Sequence, residues 1–152
     1  MIIVAGIIFV SVIFFYYPQS FYKTIQDGSK LFITRTKFSL NNGKSALESD
    51  TYTVLDHTNE YEEIMNIMKN HTYHRTFHSF FPKNGVEGMG ENLIVIYVAK
   101  ENDEFVNTIH ISDTGDVLID DYLYKIGGST SDFIQEILSF LEENASGNSG
   151  SN

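Results

Sequence analysis

The chain is predicted to be an α+β protein: an N-terminal transmembrane helix, then an antiparallel sheet of five or six strands with two helices packed on one face. Three observations predict it. Residues 1–22 carry no charged side chain, and Met1 to Tyr17 is interrupted only by Gly6 and Ser11. Two later segments, 59–69 and 129–143, repeat apolar residues at helical spacing. The other apolar runs are short and separated by turn residues, so their strands must pair as antiparallel hairpins, because parallel pairs need long crossovers.

Residues 1–22 form the first unit. A membrane span needs roughly 20 mainly apolar residues. Ile2 to Tyr17 is slightly short of that, and Tyr16, Tyr17, Phe21 and Tyr22 extend it as interfacial aromatics, with Lys23 placed to snorkel to the headgroups. A cleaved signal peptide fits less well, since no charged residues open the stretch and no small-x-small site precedes Gln19. The expected partner of residues 1–22 is therefore a lipid bilayer, crossed once. Lys23, Lys30, Arg35 and Lys37 after the span favour a cytoplasmic domain. The Lys-poor composition, rich in Asn, Ser, Thr and Tyr, favours an extracytoplasmic domain on the cell membrane, and that placement is the expectation.

Residues 23–143 form the domain. Asp27-Gly28-Ser29 turns the chain, Leu31 to Leu40 reads as a strand, and Asn41-Asn42-Gly43-Lys44 is a turn because Asn and Gly tolerate positive φ. Thr51 to Leu55 makes a second, short strand. Asn59 with Glu62 three positions on is a capping pair, and Tyr61, Ile64, Met65 and Met68 form one face of a helix ending near Lys69. From Thr72 to Phe81 the period changes to two. The glycines of Gly85-Val-Glu-Gly88-Met-Gly90 precede a strand instead of opening a helix, so they make a hairpin loop and not a phosphate cradle. Leu93 to Ala99 is the central strand, apolar enough to be covered on both faces. Phe105–Ile111, Val117–Ile119 and Tyr122–Ile126 continue a meander. A cap at Ser129 or Ser131 opens the last helix, whose face is Phe133, Ile134, Ile137, Leu138 and Leu141, with Phe140 at its margin. Residues 144–152, rich in Gly, Ser and Asn, read as a disordered tail.

Composition excludes more than it identifies. All 10 Lys+Arg and 20 Asp+Glu lie beyond residue 22 and give a net charge of -10, which repels phosphate backbones, so no nucleic acid is expected. With no cysteine there is no disulfide, thiolate nucleophile or Cys-ligated zinc. His74 and His78 on a strand lie about 13 Å apart, too far to share an ion. Asp113-Thr114-Gly115 matches the catalytic triplet of aspartic proteases, but that chemistry needs a second carboxylate, and Asp116 stands where the family has Ala or Ser. A hairpin turn accounts for the triplet. Asp113, Asp116, Asp120 and Asp121 lack the spacing of a calcium loop. No catalytic, cofactor-binding or metal-binding residue is assigned. The expected partner-binding residues are Phe80, Phe81, Gly85, Gly88, Met89 and Gly90, an exposed aromatic pair beside a glycine loop. The open sheet face is a second surface of the same kind.

Asn59-Glu-Tyr-Glu-Glu-Ile-Met-Asn-Ile-Met-Lys69, Tyr73-x-Arg-Thr76, the apolar strand 93–97, Ile109-x-Ile-Ser-x-x-Gly115 and Tyr124-Lys-Ile126 together span about residues 50–141. This pattern resembles small membrane-anchored or exported α+β proteins of Gram-positive bacteria. Some proteins of that layout are immunity proteins, and the resemblance implies no residue roles. The functional expectation is a membrane-anchored, non-enzymatic domain that binds another protein at the cell envelope, as an immunity or inhibitor protein against a secreted toxin. The alternatives are an accessory subunit of a membrane complex and a hydrolase using Asp113.

Overall fold

The computed structural model describes residues 2–41, 44–83, 85 and 90–148, with the backbone alone at 2–5, 7, 8, 11, 41 and 145–148. In chain order the elements are α1 (Ile2–Tyr16), β1 (Gln19–Ser20), α2 (Phe21–Ile25), β2 (Lys30–Asn41), β3 (Lys44–Leu55), α3 (Asn59–Asn70), β4 (Thr72–Arg75), a 3-10 turn (Phe77–Phe80), β5 (Asn92–Ala99), β6 (Phe105–Ser112), β7 (Asp116–Ile119), β8 (Tyr122–Gly127) and α4 (Thr130–Asn148). The strands form one sheet in the order β1-β4-β8-β7-β6-β5-β2-β3, and every neighbouring pair is antiparallel.

The core lies on one face of this sheet. Register aligns Ile33, Ile96, Ile109 and Ile119 across β2, β5, β6 and β7, and Tyr61, Ile64, Met65 and Met68 of α3 are buried against that face. Phe133, Ile134, Ile137, Phe140 and Leu141 of α4 complete the layer. The cap of α3 is Thr58, not Asn59: the Thr58 hydroxyl accepts from the Tyr61 amide at 3.2 Å, an interaction worth about 1 kcal/mol. Tyr61 in turn donates its hydroxyl to the Gly28 carbonyl at 2.5 Å. Gly28 is required there because a Cβ would run into the Val98 side chain.

The predicted five- or six-stranded sheet is corrected to eight strands. Two-residue β1 offers no alternation to read, and its pairing with β4 at Gln19↔Tyr73 and Ser20↔Thr72 is made only in three dimensions. β3 is twelve residues long instead of a short run, paired with β2 from Lys30↔Leu55 to Asn41↔Lys44. Its first half is polar and borrows strand geometry from β2, helped by hydroxyl pairs Thr34–Thr51 and Thr36–Ser49, both at 3.1 Å. Asn42 and Gly43 of the predicted turn lie outside the described residues. β4 stops at Arg75, where a 3-10 turn replaces the predicted strand to Phe81. The α4 backbone continues to Asn148, into the stretch read as a tail, and residues 149–152 lie outside the described residues.

The predicted transmembrane helix is also corrected. Among the described residues no helix is long and apolar enough to cross a membrane. α1 has 15 residues and so reaches about 22 Å, against about 30 Å of hydrocarbon. The stretch is shortened by its own C-terminal part. Phe21, expected at a membrane interface, is fully buried with its ring centroid 4.7 Å from Tyr73 and 4.9 Å from Phe133. Tyr22 packs partly buried against the same core. Three helices, α2, α3 and α4, therefore cover the sheet, where two were expected. The opposite face is less open than expected, since Val95, Leu118 and Leu123 are buried on it.

Phe21→Ala is expected to cost about 3–5 kcal/mol in urea unfolding. Phe14→Ala, at a site 45 % exposed, should cost about 1 kcal/mol or less. Similar costs for the two changes would contradict the assignment of Phe21 to the core and of Phe14 to the surface.

Candidate functional site

α1 is apolar on every side, and its last turn rests against the β4 edge of the sheet. There the ring of Phe14 stacks on Phe80 with centroids 6.0 Å apart, and Phe15 meets Phe80 edge-on at 5.6 Å. Tyr16 stacks on His74 at 5.8 Å. Phe81 contacts Phe77 at 5.8 Å, so an aromatic row continues the helix surface onto the domain. Most of this surface is exposed: Phe9 67 %, Val10 65 %, Phe77 67 % and Phe81 56 %. Phe80, also exposed, is one of the contacts that join the two parts.

The 3-10 turn is aimed outward by hydrogen bonds at its base. Thr76 Oγ1 accepts from the His78 amide at 3.1 Å, and the Thr76 amide donates to Ser79 Oγ at 2.9 Å. Both hydroxyls also donate to the Leu123 carbonyl of β8. With Thr76 and Ser79 turned to the sheet, Phe77 and Phe80 project away from it. The Thr76-x-x-Ser79 spacing of a reciprocal cap was the signal that the period-two reading passed over.

Of the basic groups near this surface, Lys23 is the one expected from sequence beside an apolar segment, and Arg75 carries no sequence signal. The Arg75 guanidinium lies 4.6 Å from the Phe14 ring centroid, a cation–π contact. A cleft of about 310 Å³ between Val10, Ile13, Phe14, Tyr17 and Arg75 is almost wholly apolar. It adjoins a second cleft of about 410 Å³ lined by polar groups that include Lys23, Gln19 and Arg75. Tyr17 and Arg75 belong to both.

Of the residues expected to bind a partner, Phe80 and Phe81 lie on the aromatic row. Gly85 (φ 153°) has open space at its Cβ position. Gly90 abuts Asp113, which leaves no room for a Cβ, and stands at the β6–β7 turn, away from the aromatic row. Gly88 and Met89 lie outside the described residues. The other candidate chemistry disperses. Asp113 accepts from the Asn92 amide at 2.9 Å through Oδ2, Asp116 is buried and pairs with Lys125 at 2.5 Å, and Asp120 accepts from the Thr108 amide at 2.9 Å. His71 meets Glu136 at 3.1 Å, while β7 and β8 separate His110 from His74. Among the described residues no three His, Asp or Glu side chains are placed to hold a metal.

Burial holds the His110 imidazole below its ordinary pKa of 6.5, with Asp121 acting in the opposite direction. Unfolding restores the ordinary value, so on acidification the unfolded chain takes up the proton first. The stability contributed by neutral His110 is full above about pH 6.5 and is lost as pH falls below it. The urea midpoint should therefore drop from about pH 7.5 to about pH 5.5, and His110→Leu, packed between Val95 and Leu118, should flatten that slope. An unchanged slope in the variant would assign the dependence to other groups.

Compared with protein-family models, curated proteins and solved structures, the chain matches none.

Proposed function

We propose that the chain is a non-enzymatic binding domain held against a lipid bilayer by α1 and the aromatic row of Phe77, Phe80 and Phe81, with α1 entering the bilayer without crossing it. The observation that carries this reading is the apolar surface of α1 on every side, continued by exposed aromatics of the domain. A helix with one apolar stripe is satisfied by a groove. A helix without a polar face needs an apolar medium around it, and lipid supplies one. Burying four of these exposed side chains at about 1.5 kcal/mol each contributes about 6 kcal/mol, enough to hold a small domain at a surface. The composition that favours an extracytoplasmic position supports placing the acidic domain on the outer side of the cell membrane.

Flotation with phosphatidylcholine vesicles tests this. The full chain should rise with the vesicles, and a chain lacking residues 2–16 should stay at the bottom. Triple substitution of Phe77, Phe80 and Phe81 by Ser should lower the floated fraction. A full chain that remains monodisperse in the vesicle-free fractions overturns the reading.

A protein partner is favoured at a different place, the outer edge of β3. All of Lys44–Thr51 is exposed. The Asp56 amide donates to the Ser29 carbonyl at 2.8 Å, which fixes the phase of the ladder and leaves the N–H and C=O of Leu47, Ser49 and Thr51 facing away from β2. An extended segment of a partner can pair there by strand addition. Leu47→Pro removes an outward N–H without breaking the β2–β3 ladder, so it should abolish crosslinking of a membrane partner while leaving the circular dichroism intact. A partner retained by this variant places the contact elsewhere.

A further inference from the structure

We propose that the base of α1 is a binding site for the phosphate group of an anionic lipid, with Arg75 and Lys23 as its cations. The inference rests on the bilayer reading above and adds the headgroup chemistry. Two adjoining clefts of unlike character meet at Arg75. One is the apolar cleft of about 310 Å³ against Val10, Ile13 and Phe14. The other, of about 410 Å³, presents Lys23, Arg75, Gln19, Ser20, Tyr17 and Tyr73. Its charged groups are both cations, and among the described residues no carboxylate lies within 4.0 Å of either. Gln19 lines the same cleft, and its side-chain Nε2 is buried with no hydrogen-bond partner among the described residues.

An anionic amphiphile matches this pair of surfaces. Its phosphate takes charge-assisted hydrogen bonds from a guanidinium fork and an ammonium, and its acyl chain lies along α1 in the neighbouring cleft. Phe14 holds the guanidinium at the junction through the ring contact at 4.6 Å. The site is a local exception in a chain of net charge -10. Bulk electrostatics therefore oppose an anionic membrane, and a preference for one has to come from a specific place.

The test compares flotation on phosphatidylcholine vesicles with flotation on vesicles containing one third phosphatidylglycerol. The full chain should partition more strongly into the anionic vesicles, by about fivefold for each engaged cation. Lys23→Gln with Arg75→Gln should remove that preference while binding to phosphatidylcholine persists, and Lys100→Gln should leave it in place. Equal or weaker binding to the anionic vesicles, with phosphatidylcholine binding intact, overturns the headgroup site and leaves the bilayer reading standing. Failure to bind either vesicle overturns the bilayer reading itself. Excess inorganic phosphate at constant ionic strength should not abolish the preference. If it does, the site is one for free phosphate and the lipid assignment fails.

Discussion

The burial of Phe21 is the constraint on which the rest of the molecule depends. Its ring sits between Tyr73 of β4 and Phe133 of α4, so one side chain joins the start of the domain to the sheet and to the last helix. That contact places β1 alongside β4 and sets the point at which α1 leaves the body. Were Phe21 at a membrane interface, α2 would have no reason to lie on the sheet, and Ile25, now fully buried, would be stranded with it. The free energy of burying a phenylalanine, about 1.5–3 kcal/mol, favours the core over a position half in headgroups. A continuous apolar run is thereby divided into a tether and a piece of core.

That division shapes the surface. Because α1 ends at Tyr16 and the chain is pinned five residues later, the last turn of the helix meets β4 and the 3-10 turn. Arg75, at the end of β4, is brought under Phe14. Thr76 and Ser79 satisfy the turn against β8, and the phenylalanines of the turn are left to extend the helix surface. Apolar groups, a guanidinium with no carboxylate beside it among the described residues, and a nearby lysine thus converge on one corner of an otherwise acidic molecule. The far edge of the sheet is built on another principle. β3 projects with a polar, exposed strand whose outer hydrogen-bonding groups are unoccupied among the described residues. The apolar corner at β4 and the open edge of β3 lie at opposite ends of the sheet order, so neither occludes the other.

The candidate chemistry shows how turn residues imitate sites. Asp113, Asp116, Asp120 and Asp121 cluster in sequence, yet they serve separate local contacts instead of one site. Asp113 and Asp120 accept backbone amides, Asp116 pairs with the lysine directly opposite on β8, and Asp121 adopts positive φ at the β7–β8 turn beside Asp120. Short hairpins demand these conformations and carboxylates tolerate them, which is why acidic residues gather there.

Local periodicity made much of the domain legible. The predicted face of α3 is its buried face, and of the predicted α4 face Phe133, Ile134, Ile137 and Leu141 are buried, while Leu138 is only partly buried and Phe140, expected at the margin, is fully buried. The apolar run of β5 is covered fully on the core face and in part on the other, where Val95 is buried and Tyr97 exposed. The exposure of Phe80 and Phe81 was legible too. What sequence could not supply was anything decided by a partner element. β1 is a strand because β4 lies beside it, and the polar half of β3 because β2 does. Arg75 lines two clefts because α1 leaves at that corner. Composition alone places an uncharged apolar segment before an acidic α+β domain. Where that segment ends is set by the packing of Phe21 against Tyr73 and Phe133, because hydrophobicity does not tell a side chain left on the surface from one taken into the core.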